Sequence, residues 1–170
     1  APVKVWRRGA ERDLTVAAGE SSTSFGQGTE FHDSGFLSSG TSTRRTTFEQ
    51  QNAVASSISG NSVDLRAGQD LSITGSDVTS DLATRLQTGR DVSITAATES
   101  TRSEFFQRET RSGLLSGPGL SIGIGSQQQQ HTAELRSTRQ RGSQVGTLAG
   151  DVSIDAGDSY RQQASKIVAP

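Results

Sequence analysis

Three sets of side chains in this 170-residue chain have types and spacings that could do chemistry. The first is an aspartate ahead of a short alternating segment. It occurs as Asp13-Leu14-Thr15-Val16, Asp70-Leu71-Ser72-Ile73, Asp91-Val92-Ser93-Ile94 and Asp151-Val152-Ser153-Ile154. Gly-x-Asp turns can ligate calcium, but ion-sharing turns recur about every nine residues, and Asp70 and Asp91 stand 21 apart. That spacing favours aspartates that accept backbone N–H bonds at turns. No helix start follows Gly68-Gln69-Asp70, so it is not a phosphate loop. The second set is His32 and His131, which do not correspond between the two halves of the chain and read as solvated loop residues. A polysaccharide lyase would need clustered carboxylates and a basic side chain on one wall, whereas Lys4 and Lys166 sit at opposite ends. The expectation is therefore a non-enzymatic chain with no catalytic residue, metal ligand or cofactor site.

The third set could bind rather than catalyse. Phe25, Phe31, Phe36, Arg44, Arg45, Phe105, Phe106, Arg108 and Arg111 gather on two segments, with Glu30, Glu49, Glu104 and Glu109 among them. The plain reading pairs arginine with glutamate across strands and buries the phenylalanines as a satellite cluster. The functional reading is an interaction surface for a glycan or lipopolysaccharide.

The elements that must position these residues are constrained by composition. Hydrophobic residues are only 30% of the chain, against about 45–50% for globular domains counted with glycine. Disorder usually accompanies high net charge, yet 17 basic and 18 acidic residues leave −1. The same balance argues against a nucleic-acid partner. Zero cysteine excludes disulfides and thiol chemistry. No apolar run is long enough to span a membrane as a helix, no signal-peptide core opens the chain, and it reads as a piece of something longer.

Repetition supplies the fold. Leu65 maps to Leu86, Gly68 to Gly89, Leu71 to Val92 and Ile73 to Ile94, all at 21, while Ile58 maps to Val78 at 20, so one residue slips between them. Asp13 maps to Asp91 at 78, and Asp151 follows Asp70 at 81, read as a small insertion. The chain divides into modules 1–88 and 89–170. A 21-residue period of short β-branched strands and glycine turns describes a coil of an all-β solenoid. Its inward positions are expected at Ile58, Val63, Leu65, Leu71, Ile73, Val78, Leu82, Leu86, Val92 and Ile94.

Segments of about 20–52 and 98–143 interrupt the rhythm. They are too long for structureless loops and read as antiparallel β-hairpin excursions. In each, Ser-Gly-(Phe/Leu)-Leu-Ser turns the chain, and Leu120, Ile122 and Ile124 alternate along the second return strand.

The strings Ala67-Gly68-Gln69-Asp70-Leu71-Ser72-Ile73, Gly89-Arg90-Asp91-Val92-Ser93-Ile94 and Leu148-Ala149-Gly150-Asp151-Val152-Ser153-Ile154 resemble the haemagglutinin repeats of filamentous haemagglutinin. Ser112-Gly113-Leu114-Leu115-Ser116-Gly117 with Gly119-Leu120-Ser121-Ile122-Gly123-Ile124 resembles the second repeat type, also found in contact-dependent growth inhibition effectors. The resemblance runs from about Gly9 to Lys166. It implies a right-handed parallel β-helix in a long exoprotein of a Gram-negative bacterium, exported by an outer-membrane two-partner secretion transporter and held at the cell surface, with a periplasmic stage before toxin delivery. In growth-inhibition effectors this region is implicated in toxin delivery across the target-cell outer membrane; in haemagglutinin-like relatives the repeats form an adhesin shaft. The open ends of a cut solenoid add an expectation of weak self-association.

Overall fold

The computed structural model describes residues 3–6, 12–116 and 122–170. Fourteen strands and no helix occur among them: β1 (Val3–Trp6), β2 (Leu14–Ala17), β3 (Gly19–Ser34), β4 (Ser38–Val54), β5 (Ser57–Ala67), β6 (Leu71–Thr74), β7 (Asp77–Thr88), β8 (Val92–Thr95), β9 (Ala97–Ser116), β10 (Ile122–Arg141), β11 (Gln144–Thr147), β12 (Val152–Asp155), β13 (Tyr160–Gln163) and β14 (Lys166–Val168). They form two compact units. One comprises Ala1–Ser21, Gln51–Glu99 and Thr138–Pro170; the other comprises Ser22–Gln50 and Ser100–Ser137.

The first unit is a parallel β-helix. Its strands are short and β-branched, separated by corners rich in Gly, Ser and Asp, which favours extended segments over a helix. One ladder stacks β2, β6, β8 and β13 in parallel, with Leu14 beside Leu71, Leu71 beside Val92 and Tyr160 beside Val92. A second joins the start of β5 to β7, β11 and β14, aligning Ile58, Val78, Val145 and Ile167. A third aligns β1, the end of β5, the end of β7 and β12, with Val63 beside Thr84 and Thr84 beside Val152.

The sequence period is visible in the register. Leu71 and Val92 pair at the expected spacing of 21, and so do Leu65 and Leu86. Ile58 pairs with Val78 at 20, and the extra residue is absorbed as an irregularity between Gly60 and Ser62. Val63, Leu65, Leu71, Ile73, Val78, Leu86, Val92 and Ile94 are essentially inaccessible, with Ile58 packed against them. Each removes roughly 1.5–3 kcal/mol worth of apolar surface from water, so a narrow column suffices without large side chains. Leu82 is the exception at 52% exposed. It lies at the irregularity, which breaks strict alternation: Val78 and Ser80 point inward before it, and Thr84 and Leu86 after it.

The fourth aspartate motif also departs from expectation. Val152–Asp155 pairs with Thr84–Gln87, not with the ladder that holds the other three motifs. Their fourth rung is Tyr160–Gln163. The 81-residue offset is therefore a coincidence of local sequence, and a longer second interruption accounts for the displacement.

The second unit is a four-stranded sheet in the order β10-β9-β4-β3. The Gly35 N–H donates to the Ser38 carbonyl at 2.7 Å, and the Leu114 N–H donates to the Leu37 carbonyl at 3.0 Å. The expected turn at Ser34–Ser38 is found, as the bend between β3 and β4. Its expected counterpart at Ser112–Ser116 is not a turn: those residues are the end of β9, where Leu114 bonds Leu37, so the chain runs straight through them. Leu120 of the expected return strand lies outside the described residues. Ile122 begins β10.

Candidate interaction surface

The recurring aspartates act between coils. The Asp13 carboxylate accepts the Asp70 N–H at 3.3 Å, and Asp70 accepts the Asp91 N–H at 3.2 Å. Asp91 accepts the N–H and the hydroxyl of Ser159 at 3.1 and 2.7 Å. Each carboxylate thus clips the next coil, as an acceptor for a strand-leading amide. Ser159 occupies the next place in this series, where the sequence pattern had suggested Asp151.

A second polar ladder gave no recognised sequence signal. Ser56, Ser76, Ser143 and Ser165 each precede a strand of the second ladder. Their hydroxyls donate to the carbonyls of Ala17 (2.6 Å), Thr74 (2.8 Å), Thr95 (2.6 Å) and Gln163 (2.9 Å), four residues in register on the first ladder. Ser143 Oγ accepts the buried Ser76 N–H at 3.2 Å, and Ser165 Oγ accepts the Ser143 N–H at 3.3 Å. The ladder marks the corner at which the long segments are inserted: β3 follows β2 and β9 follows β8, whereas the coil between them turns directly through Gly75 and Ser76. Gly75 has φ +56°, and a methyl group there would meet the Ala97 Cβ at 2.4 Å and the Ala18 Cβ at 3.1 Å. These carboxylates and hydroxyls are committed to the backbone. Among the described residues, no group of three His, Asp or Glu side chains is placed to hold a metal ion.

The binding candidates all lie in the four-stranded sheet or its bend. Side chains alternate between the faces of a strand, and specific contacts assign the faces. One face carries Arg102, Glu104, Phe106, Arg108 and Glu134. Arg102 and Arg136 both bond the Glu134 carboxylate, the former at 2.8 Å, and Arg102 also contacts Glu104. The two guanidiniums, Arg136 foremost, hold the Glu134 carboxyl below its usual range; Glu134 in turn raises Arg102. Arg108 lies 5.7 Å over the Phe106 ring and 3.4 Å from the Gln130 Oε1. Ser39 bonds Ser112 and His32 bonds Thr41, which extends this face across β4 and β3 and places Arg45 on it.

The opposite face carries Phe105 against His131, ring centroids 6.3 Å apart. Phe31, Asp33, Glu109, Arg111 and Gln127 line an open depression on it. Arg111 pairs with Glu109 at 2.6 Å. Alternation adds Phe25 and Arg44. Phe36 occupies the β3–β4 bend and is 99% exposed. The nine candidates therefore do not form one patch: Arg45, Phe106 and Arg108 share one face, while Phe25, Phe31, Arg44, Phe105 and Arg111 share the other.

The plain readings hold in part. Arg102–Glu134 is a pair across strands, whereas Arg102–Glu104, Arg111–Glu109 and Arg136–Glu134 join residues two apart on one strand. Arg44 and Arg45 are exposed, with no carboxylate at ion-pair distance among the described residues. Phe105 and Phe106 are half-buried, but Phe25 and Phe31 are exposed at 57% and 63%. A satellite core does not account for those two, because β3 is the outermost strand and nothing in its own sheet covers them.

Parallel ladders at a 21-residue rise, closed by polar side chains at the corners, define a repeat segment of a β-helix. The chain belongs to the hemagglutinin repeat family, whose model matches residues 37–169. It is 34% identical over 137 residues to "tRNA nuclease CdiA" of Escherichia coli O6:K15:H31, covering 79% of this chain and 4% of that protein. It is 32% identical over 162 residues to "tRNA nuclease CdiA" of Escherichia coli strain STEC_O31, covering 94% and 5%. A third relative, "tRNA nuclease CdiA" of Yersinia mollaretii, is 37% identical over 117 residues, covering 68% and 4%. The chain thus spans 4% or 5% of the length of these relatives. No solved structure matches it.

Proposed function

We propose that this chain is a structural and interaction segment of a large secreted surface exoprotein of a Gram-negative bacterium, contributing to its shaft and to delivery of a C-terminal toxin across a target-cell outer membrane. The observation that carries this is the coil-to-coil ladder in a chain that matches about one twentieth of proteins named as toxins or nucleases. A segment of that kind supplies reach, and any nuclease activity belongs to another part of such a parent. Stacking in which each coil bonds the next allows folding to propagate along the chain, which suits export of an unfolded chain through an outer-membrane two-partner secretion transporter. The absence of cysteine is compatible with that passage.

In this reading the β-helix is right-handed, and residues 1–88 and 89–170 are two modules, each with one antiparallel β-hairpin inserted at the same corner. The hairpin reading is supported by β3–β4 contacts that descend along one strand as they ascend the other, from Gly28–Arg44 to His32–Thr41 to Gly35–Ser38. Arg102–Glu134 and Arg108–Gln130 run likewise on β9 and β10. Exposed end strands of the solenoid give weak self-association.

The delivery role is tested in the parent exoprotein by deleting whole coils of this segment. Toxin delivery to target cells in co-culture should fall while surface display, read by antibody, persists. Unchanged delivery would remove the role.

A second reading is an adhesin segment. It is favoured by exposed Phe25 and Phe31 on the face that holds Arg44 and Arg111, a combination suited to glycan or lipopolysaccharide. Replacing Arg44, Arg45, Arg108 and Arg111 with alanine should abolish binding to cells or glycans; unchanged binding would sink this reading.

A further inference from the structure

The four-stranded sheet is already one joint between two related segments. The return strand of the first interruption, β4, pairs with the outgoing strand of the second, β9. The joint is made by the Leu114 N–H to Leu37 carbonyl bond and by the Ser39–Ser112 hydroxyl contact. This joint uses only one strand of each pair. The other two, β3 and β10, are the outermost strands of the sheet. They are the counterparts of the pair already joined: β3 goes out as β9 does, and β10 returns as β4 does.

Both outer strands are long, with 16 residues in β3 and 20 in β10. All of β3, and β10 from Gly123 through Gln140, is exposed. Their backbones carry ladder groups that face away from the sheet. The Gly35 N–H bonds the Ser38 carbonyl, so alternation turns the odd-numbered residues of β3 toward β4 and the even-numbered ones, such as Ser24 and Glu30, outward. The Leu114 N–H bonds the Leu37 carbonyl, so odd-numbered residues of β9 face β10. Phe105 lies opposite His131, which leaves even-numbered residues of β10, such as Gln128 and Gln130, facing outward. Long edges of this kind template the addition of another strand, and the devices that usually block them are sparse. Among the described residues of β3 and β10 there is no proline and no lysine.

We propose that the outer edge of β10 pairs with the outer edge of β3 of a second copy of this repeat, reproducing the β4–β9 joint and continuing the sheet from module to module. The occupant is another copy because that joint shows a return strand of one interruption accepting the outgoing strand of its relative. The contact is head-to-tail, so it extends in a line rather than closing as a symmetric dimer. The inference rests on the hairpin reading above and adds which edges meet.

The test uses the full chain in sedimentation velocity over a concentration series. Ser24→Pro blocks an outward amide of β3, and Gln128→Pro blocks one of β10, without removing a bond inside the sheet. Ser24→Lys and Gln128→Lys serve as gentler versions should proline unfold the strand, with circular dichroism as the check on folding. The wild type should associate progressively with concentration. Each blocked variant alone should lose the progressive growth and keep no more than the weak contact of the solenoid ends, while an equimolar mixture should regain one further pairing step, because only one β10 edge and one β3 edge remain. Wild-type growth in either blocked variant alone, or a mixture that associates no more than the single variants, overturns the proposal. A wild type that stays monomeric with a β-rich spectrum overturns it too, leaving the hairpin reading standing; loss of that spectrum overturns the hairpin reading itself.

Discussion

Gly75→Ala should be among the most damaging small substitutions in the chain. Gly75 turns the direct corner between β6 and β7 at φ +56°, as Ala164 turns the corresponding corner between β13 and β14 at φ +48°. A left-handed conformation costs an L-residue about 1–2 kcal/mol. The added methyl would stand 2.4 Å from the Ala97 Cβ and 3.1 Å from the Ala18 Cβ, well inside contact distance. Overpacking of that kind costs about 1–3 kcal/mol. Reduced freedom of the unfolded chain returns about 0.4–1 kcal/mol, so the net loss is about 2–4 kcal/mol. With a urea slope of about 2 kcal/mol per molar, the middle of the range for small proteins, the midpoint in circular dichroism should fall by about 1–2 M. Adding Ala97→Gly should restore the packing part and leave the backbone part, giving partial rescue in a double-mutant cycle. Gly26→Ala is the control, since nothing lies within 4 Å of its added methyl. A change below about 0.5 kcal/mol for Gly75→Ala, the level of ordinary surface substitutions, would refute the stacked-corner geometry.

Leu86→Ala should cost about 2–5 kcal/mol in urea unfolding, and Leu82→Ala less than about 0.5 kcal/mol, because Leu86 is fully buried and Leu82 is 52% exposed. The buried Thr147 hydroxyl has no hydrogen-bond partner among the described residues, so Thr147→Val should raise stability by about 1 kcal/mol in the same assay. Glu134 titrates below its usual range because Arg136 and Arg102 hold its charged form. Its contribution is present above the unfolded glutamate pKa of about 4.3 and is lost as pH falls through the lower folded value. A Glu134→Gln variant should therefore differ from wild type at neutral pH and converge with it on acidification, read by thermal melts across pH.

Most of the helical column was legible in the sequence. The aliphatic positions of one coil repeat at 21, and their identity as strands follows from alternation. Even the one-residue slip from Ile58/Val78 to Leu65/Leu86 is present in the spacing, and it becomes the irregularity between Gly60 and Ser62. The same slip concealed the fate of Leu82, since alternation counted through it points the side chain inward. Asp151 misled because four-residue strands on different faces share one pattern, Asp-Val-Ser-Ile; only register distinguishes Asp91 from Asp151. The serine ladder was hidden for a different reason. Ser56 and Ser143 follow interruptions of unequal length, whereas Ser76 and Ser165 follow direct turns, so equal positions in space are unequally spaced in number, in a chain rich in serine. The binding candidates were found by type and lie on one sheet, but their division between faces follows strand parity, which the sequence reading did not apply to them.

The stacking of coils at a 21-residue rise is tested most directly by a double substitution, Thr74→Cys with Thr95→Cys. The chain has no other cysteine. The two threonines pair in register, with hydroxyls 3.1 Å apart, within the reach of a disulfide. Mild oxidation should close an intramolecular bond in the folded monomer and raise its unfolding free energy by about 3 kcal/mol. Free thiols after oxidation of folded protein, or only intermolecular bonds, would contradict the coil register on which the account stands.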